Sequence, residues 1–339
     1  MALRLVDKWI WDSWFVFDGE RYHAFYLSAS KALGDPNRRH RHPIVGHAVS
    51  TDLVNWNVVV DALIVSESPA FDSYTTWTGS VVKGDDGLWW MYYTGTSRED
   101  GGDRQTVGAA TSPDLFTWTK LGTEAMVAAD ARWYETLGTS IWPDEAWRDP
   151  WVFKAQAGQL IGGEKYNADA GIADLAQSEP LWHMLVTARS NSGPVATRGV
   201  MGHAISTDQR TWQVLPPLGS VTDDFGQLEV FQYEVIDGVP TVVFCCGWRE
   251  LSPARLASFG QRDATYSFAV GSDLTDIDFA KARAFEDRLV YAARVVEGPD
   301  GWVLIGFENF EGPDGEFVGA LSDPVPVTSL PEKGLVPKR

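Results

Sequence analysis

The stretch Val45-Gly46-His47-Ala48-Val49-Ser50-Thr51-Asp52-Leu53-Val54-Asn55-Trp56 returns in register as Val107-Gly108-Ala109-Ala110-Thr111-Ser112-Pro113-Asp114-Leu115-Phe116-Thr117-Trp118. A third copy is Met201-Gly202-His203-Ala204-Ile205-Ser206-Thr207-Asp208 with Trp212, and fainter ones are Phe268-Ala269-Val270-Gly271-Ser272-Asp273-Leu274 and Val318-Gly319-Ala320-Leu321-Ser322-Asp323. Each copy reads as a strand of small and β-branched residues, a polar Ser/Thr-x-Asp turn and, in three copies, a tryptophan anchor. Upstream lie paired strand-like runs, such as Leu88-Trp89-Trp90-Met91-Tyr92-Tyr93 after the turn Gly84-Asp85-Asp86-Gly87, and Phe231-Gln232-Tyr233-Glu234-Val235-Ile236 before Asp237-Gly238. Asp-Gly between alternating runs is a strong hairpin signal. Four strands recurring five times predict an all-β fold, a five-bladed β-propeller with four-stranded antiparallel blades. The blades start near residues 12, 78, 149, 229 and 291, and one propeller domain is expected over residues 1–339 with no linker. Helical periodicity is nearly absent, and residues 252–260 read as either a short helix or a loop.

The 339 residues include 16 Trp, 16 Phe and 10 Tyr, a content that suits strand packing and also flat sugar-binding walls. A net charge of −18 repels phosphate backbones and anionic lipid, so no nucleic-acid or membrane partner is expected and a small neutral carbohydrate fits better. The two cysteines, Cys245 and Cys246, are adjacent in an apolar run and read as buried thiols. No leader-like apolar stretch follows Met1, so a cytoplasmic location is expected. No metal-binding spacing and no glycine-rich phosphate loop is visible, so no metal and no cofactor are expected.

In a propeller the first strand of each blade lines the central channel. Three of these strands open with a carboxylate: Trp11-Asp12-Ser13-Trp14, Arg148-Asp149-Pro150 and Gln227-Leu228-Glu229-Val230. One acid there would be an ordinary turn residue, but three at matching repeat positions point to a funnel built for acid chemistry. Trp56, Trp118 and Trp212 share one repeat position and read as blade anchors; His47 and His203 read as structural for the same reason. The basic run Arg38-Arg39-His40-Arg41-His42 reads as a solvated first-blade loop, with the funnel rim as the other possibility.

These motifs together resemble the clan of glycoside hydrolase families 32 and 68, the invertases, fructanases and levansucrases. Trp11-Asp12-Ser13-Trp14 resembles the element that carries the nucleophile of levansucrases. Trp77-Thr78-Gly79-Ser80 resembles the element lining the fructose subsite, and Arg148-Asp149-Pro150 the Arg-Asp-Pro motif whose Asp bonds two substrate hydroxyls. Glu229 sits where those families keep the acid/base, with Glu234 and Asp224 as neighbouring alternatives. The chain departs from both families at Val230, where family 32 has Cys and family 68 Arg, and a single-domain form without the C-terminal β-sandwich of family 32 is expected.

The resemblance implies a retaining β-fructofuranosidase working by double displacement on a short fructoside, by hydrolysis or transfer. Asp12, Asp149 and Glu229 would be catalytic, and Trp11, Trp14, Trp77, Ser80, Arg148 and Trp248 would contact substrate. Retention calls for carboxyls about 5 to 5.5 Å apart. The alternatives are an inverting arabinofuranosidase or xylosidase of family 43 and a carbohydrate-binding propeller without activity.

Overall fold

The computed structural model describes residues 3–286, 290–309 and 317–338. Its strands form five antiparallel sheets, each built from consecutive strands. The innermost strands are Lys8–Phe17, Thr75–Lys83, Trp147–Lys154, Glu229–Ile236 and Tyr291–Gly298, and they contact one another around a central axis. This is the expected five-bladed propeller. The ring closes without strand exchange between blades. Ile10 N–H donates to Gly319 O (2.9 Å) and Leu321 N–H to Leu3 O (3.0 Å), tying the start of the first blade to a short extra strand, Ala320–Leu321, in the fifth.

The repeated phrase owes its residues to local bonding. Asp52 Oδ1 accepts from the backbone N–H of Val54 (2.9 Å) and Asn55 (2.7 Å), and from Ser50 Oγ (2.9 Å). Asp114 with Ser112 and Asp208 with Ser206 repeat this turn in the next two blades. The residue after each Asp (Leu53, Leu115, Gln209) takes positive φ, which the turn has to hold in place. The phrase's glycines serve packing: a Cβ on Gly46 would lie 2.3 Å from the Tyr26 ring, and one on Gly108 2.1 Å from the Phe71 ring. Aromatic rings press on these strands at a distance only glycine allows.

The phrase's histidines are structural, as expected, and paired. His47 Nε2 meets His23 Nδ1 at 2.9 Å in the first blade, and His203 Nε2 meets His183 Nδ1 at 2.9 Å in the third. Burial lowers the pKa of His47 and His183 to about 3 and that of His203 well below its ordinary value. These histidines stay neutral in the fold while the unfolded chain protonates them near pH 6.5. Their contribution to stability is therefore whole above pH 6.5 and falls as pH drops below it, by about 1 kcal/mol per pH unit per histidine. The funnel carboxylates raised by burial act in the opposite sense, so the contribution is read as a difference. Between pH 7 and 5 the melting temperature of His203→Gln should change less steeply toward acid than that of the parent; equal slopes would refute this.

Helix content exceeds the sequence expectation. Pro253–Phe259 is helical, capped by Ser252 Oγ accepting from Arg255 N–H (3.2 Å). Two helices that the sequence reading lacked, Gly163–Asp169 and Ala173–Ser178, sit between the first two strands of the third blade. No described helix is long and apolar enough to cross a membrane. Cys245 and Cys246 are buried free thiols.

Candidate active site

All five inner strands carry a two-against-one bulge at the same ladder position. Residues 11–12, 77–78, 149–150, 230–231 and 292–293 each face a single residue on the neighbouring strand. Bulges bend a strand and re-aim its side chains, and here five of them form one ring around the channel mouth. Asp149, Val230 and Ala292, each the first bulge residue of its strand, take φ of 59°, 55° and 46°. A β-branched valine in that region carries real backbone strain, of the kind that concentrates at functional sites.

The ladder corrects one point of the sequence reading. The three carboxylates are not at equivalent positions: Glu229 precedes its bulge, Asp149 is the first bulge residue and Asp12 the second. The stagger lets three acids from three blades converge without sharing one place. Equivalence appears instead between hydrogen-bonded neighbours. Arg148, Glu229 and Tyr291 hold the same position on successive blades, as do Thr78 and Asp12 on the first two.

The ring opens into a cavity of about 400 Å³ lined by Asp12, Asp149 and Glu229 together with Trp11, Trp77 and Arg148. Arg148 bridges two of the acids, with Nη2 2.5 Å from Glu229 Oε1 and Nε 3.4 Å from Asp149 Oδ2. The Tyr291 hydroxyl donates to Glu229 Oε2. Asp149 Oδ2 accepts from Thr187 Oγ1 (2.8 Å), while Asp149 N–H donates to Thr94 Oγ1 (2.8 Å). Thr78 Oγ1 donates to Asp12 Oδ2. Burial, reinforced by the Asp149 charge, pushes the Asp12 pKa up to about 7, against the Thr78 hydrogen bond that holds it down. Asp149 is also raised by burial, with Arg148 opposing.

The other residues expected to touch substrate divide. Trp11 and Trp77 are on the wall. Trp14 is not: it is fully buried, opposite Phe25 on the adjoining strand and stacked on it. Ser80 is buried too, its Oγ accepting from Val152 N–H (3.2 Å) between blades two and three. Both lie two residues beyond a channel-facing position, roughly 7 Å deeper along the strand. Trp248 is off the wall, and its backbone N–H anchors Asp263, which is on it (2.9 Å). Asp224 pairs with Arg255 (2.9 Å) and Glu234 faces another cavity, so neither alternative reaches the funnel.

The basic run is wall in part: Arg39 and His40 line the cavity, while Arg38 and His42 are exposed. Arg39 is buried, its guanidinium 3.9 Å above the Phe317 ring, and His40 O accepts from Trp77 Nε1 (2.8 Å). Sequence reasoning also missed Tyr291, which opens an inner strand, and gave Thr78 no role of its own within the Trp77-Thr78-Gly79-Ser80 element. Asp144, Asp263 and Asn309 reach the cavity from loops with no local signal. Asp144 Oδ2 accepts from Gln105 Nε2 (3.0 Å), and Gln105 Oε1 in turn accepts from Arg148 Nη1 (2.9 Å). No cluster able to hold a metal ion occurs among the described residues.

Five blades surround an acid-lined funnel, and comparison with known proteins assigns the chain to a family. The model of the glycosyl hydrolases family 32 N-terminal domain matches residues 8–188, just over half of the chain, and the protein belongs to that family. An insoluble β-fructofuranosidase isoenzyme of Arabidopsis thaliana is 31% identical over 168 residues, which is 47% of this chain and 28% of that enzyme's length. In fold, the chain is similar to an inulosucrase from Halalkalicoccus jeotgali solved with kestose: TM-score 0.67, 18% identity, 99% of this chain and 89% of that one. It is similar also to a Bombyx mori family 32 β-fructofuranosidase, at TM-score 0.66 and 18% identity over 99% of this chain and 64% of that one.

Proposed function

We propose that the protein is a retaining glycosidase of the β-fructofuranosidase type, removing or transferring a terminal fructosyl unit from a short fructoside. The observation that carries this reading is the convergence of Asp12, Asp149 and Glu229 in one cavity, each with a different set of partners. Asp12 attacks the anomeric carbon as Glu229 passes a proton to the departing oxygen, leaving a fructosyl ester on Asp12. Glu229 then takes a proton from water or an acceptor hydroxyl, whose oxygen displaces Asp12 and restores the free enzyme. Asp149, held by Thr187 and Arg148, accepts bonds from substrate hydroxyls and stabilises the positive charge of the transition state. Arg148 and the Tyr291 hydroxyl orient Glu229. Family membership argues against the inverting family 43 alternative.

Product analysis on a panel of fructosides and arabinofuranosides tests the proposal: release of fructose from sucrose or kestose supports it, and turnover of the arabinofuranosides alone would refute it. The pH profile tests the nucleophile. Asp12 attacks only as the carboxylate, so the rate should fall as pH drops through about 7. In Thr78→Val, which loses the hydrogen bond that favours the charged form, this acid limb should move up by roughly one pH unit. An unmoved limb would remove Asp12 from that role.

A further inference from the structure

The loop at residues 35–42 carries one guanidinium into the funnel. Asp35 Oδ1 accepts from Asn37 N–H (2.9 Å) and starts a tight turn over Pro36–Arg41. Trp77 Nε1 donates to His40 O (2.8 Å) and Arg41 Nη1 to Gly102 O (3.1 Å), which pins the turn to the second blade. Arg39 is 6% exposed and lines the cavity that holds the three acids. Its guanidinium carbon lies 3.9 Å from the centre of the Phe317 ring and 5.7 Å from that of Trp11. Its Nη1 donates to Pro36 O (3.0 Å), and its Nε is buried without an acceptor. Nη2 bonds to nothing among the described residues and, unlike Nε, keeps open surface, on a residue of the cavity wall. Arg39 forms no ion pair among the described residues, although the charges of Asp12 and Asp35 favour its cation. Arg148, the cavity's other guanidinium, is fully used: Gln105, Gln227, Glu229 and Asp149 take its nitrogens.

We infer that Arg39 is a substrate-binding residue that helps set specificity, donating from Nη2 to a hydroxyl oxygen of a neutral fructoside; this rests on the fructosidase reading. The rings of Phe317 and Trp11 hold the cation without spending its N–H groups on an oxygen. A guanidinium has no acceptor, so its partner must supply a lone pair. A charge buried without an ion pair is costly, and a ligand oxygen on Nη2 offsets part of that cost. Charge then decides between a hydroxyl and a phosphate. The wall carries the carboxyls of Asp12, Asp144, Asp149, Glu229 and Asp263 against the guanidiniums of Arg39 and Arg148, and His40 is neutral near pH 7. Even with Asp12 protonated the balance is negative, so a phosphorylated fructoside is repelled and a neutral one is not.

The test measures binding by calorimetry in the Asp12→Asn chain. That chain holds a fructoside without turnover, and Arg39 cannot act there through the charge of Asp12. Sucrose and kestose should bind it, and sucrose 6-phosphate about tenfold more weakly or worse. Adding Arg39→Met should weaken binding of both neutral sugars by roughly 10- to 100-fold, the loss of one hydrogen bond from a charged donor. The melting temperature should stay within a few degrees of the single variant. Arg39→Lys, which keeps the cation but not the fork, should fall between the two, and it decides the matter if the methionine variant does not fold. Neutral-sugar affinity that stays the same in the Arg39 variants would overturn the inference and leave the fructosidase reading standing. So would tighter binding of sucrose 6-phosphate that Arg39→Met removes, since Arg39 would then be a phosphate anchor. An Asp12→Asn chain that binds no fructoside would overturn both.

Discussion

Asp12→Asn is expected to lower kcat on a fructoside by about 10⁴-fold or more while leaving the fold intact and the melting temperature no lower than the parent's. The size of the loss follows from the role. An amide of the same shape fills the same space but cannot attack the anomeric carbon, and losses of this order accompany removal of a nucleophile that works in concert with its neighbours. The stability expectation comes from the site's electrostatics. Burial first, then the like charges of Asp149 and Glu229, push the Asp12 pKa up. A neutral isostere relieves that repulsion and still accepts from Thr78, so activity falls where stability holds or rises. Activity within tenfold of the parent would take the nucleophile's role away from Asp12.

Glu229→Gln separates the two halves of the reaction. On sucrose, whose leaving oxygen needs a proton, kcat should fall by roughly 10³- to 10⁴-fold. On fructosyl fluoride, which departs without protonation, formation of the glycosyl-enzyme should persist, and added azide should recover the slow second step. Arg148 loses one of two acidic partners in this variant and keeps Asp149 at 3.4 Å. A stability cost of roughly 1–3 kcal/mol is expected, since a buried guanidinium is left partly uncompensated. Equal losses on both substrates would take the acid role away from Glu229.

What could be read from the sequence was whatever is encoded within a few neighbouring residues. The propeller was legible because Asp52, Asp114 and Asp208 bond to backbone N–H groups two and three residues on, so the turn chemistry repeats as a phrase. The inner strands were legible less sharply: expected from near 12, 78 and 149, the first three begin at 8, 75 and 147, while those at 229 and 291 begin where expected, and together they bring Asp12, Asp149 and Glu229 to one cavity. The bulges were not, because a two-against-one pairing depends on the adjoining strand. That is why three acids counted as equivalent prove staggered, and why Trp14 and Ser80 lie deep between elements and not on the wall. Asp144, Asp263 and Asn309 arrive from loops whose course is set by tertiary packing. The two helices of the third blade have seven and six residues, too few for a helical period to stand out. Arg39 looked solvated as one charge in a basic run; only its stacking on Phe317 and Trp11, far apart in sequence, makes it part of the pocket.

The most direct test of the account is the stereochemistry of the first product. Proton NMR during the first moments of sucrose or kestose cleavage, before mutarotation, should show fructose released as β-fructofuranose, the outcome of two displacements through an ester on Asp12. Initial release of the α anomer would contradict that ester and, with it, the division of labour assigned to Asp12 and Glu229.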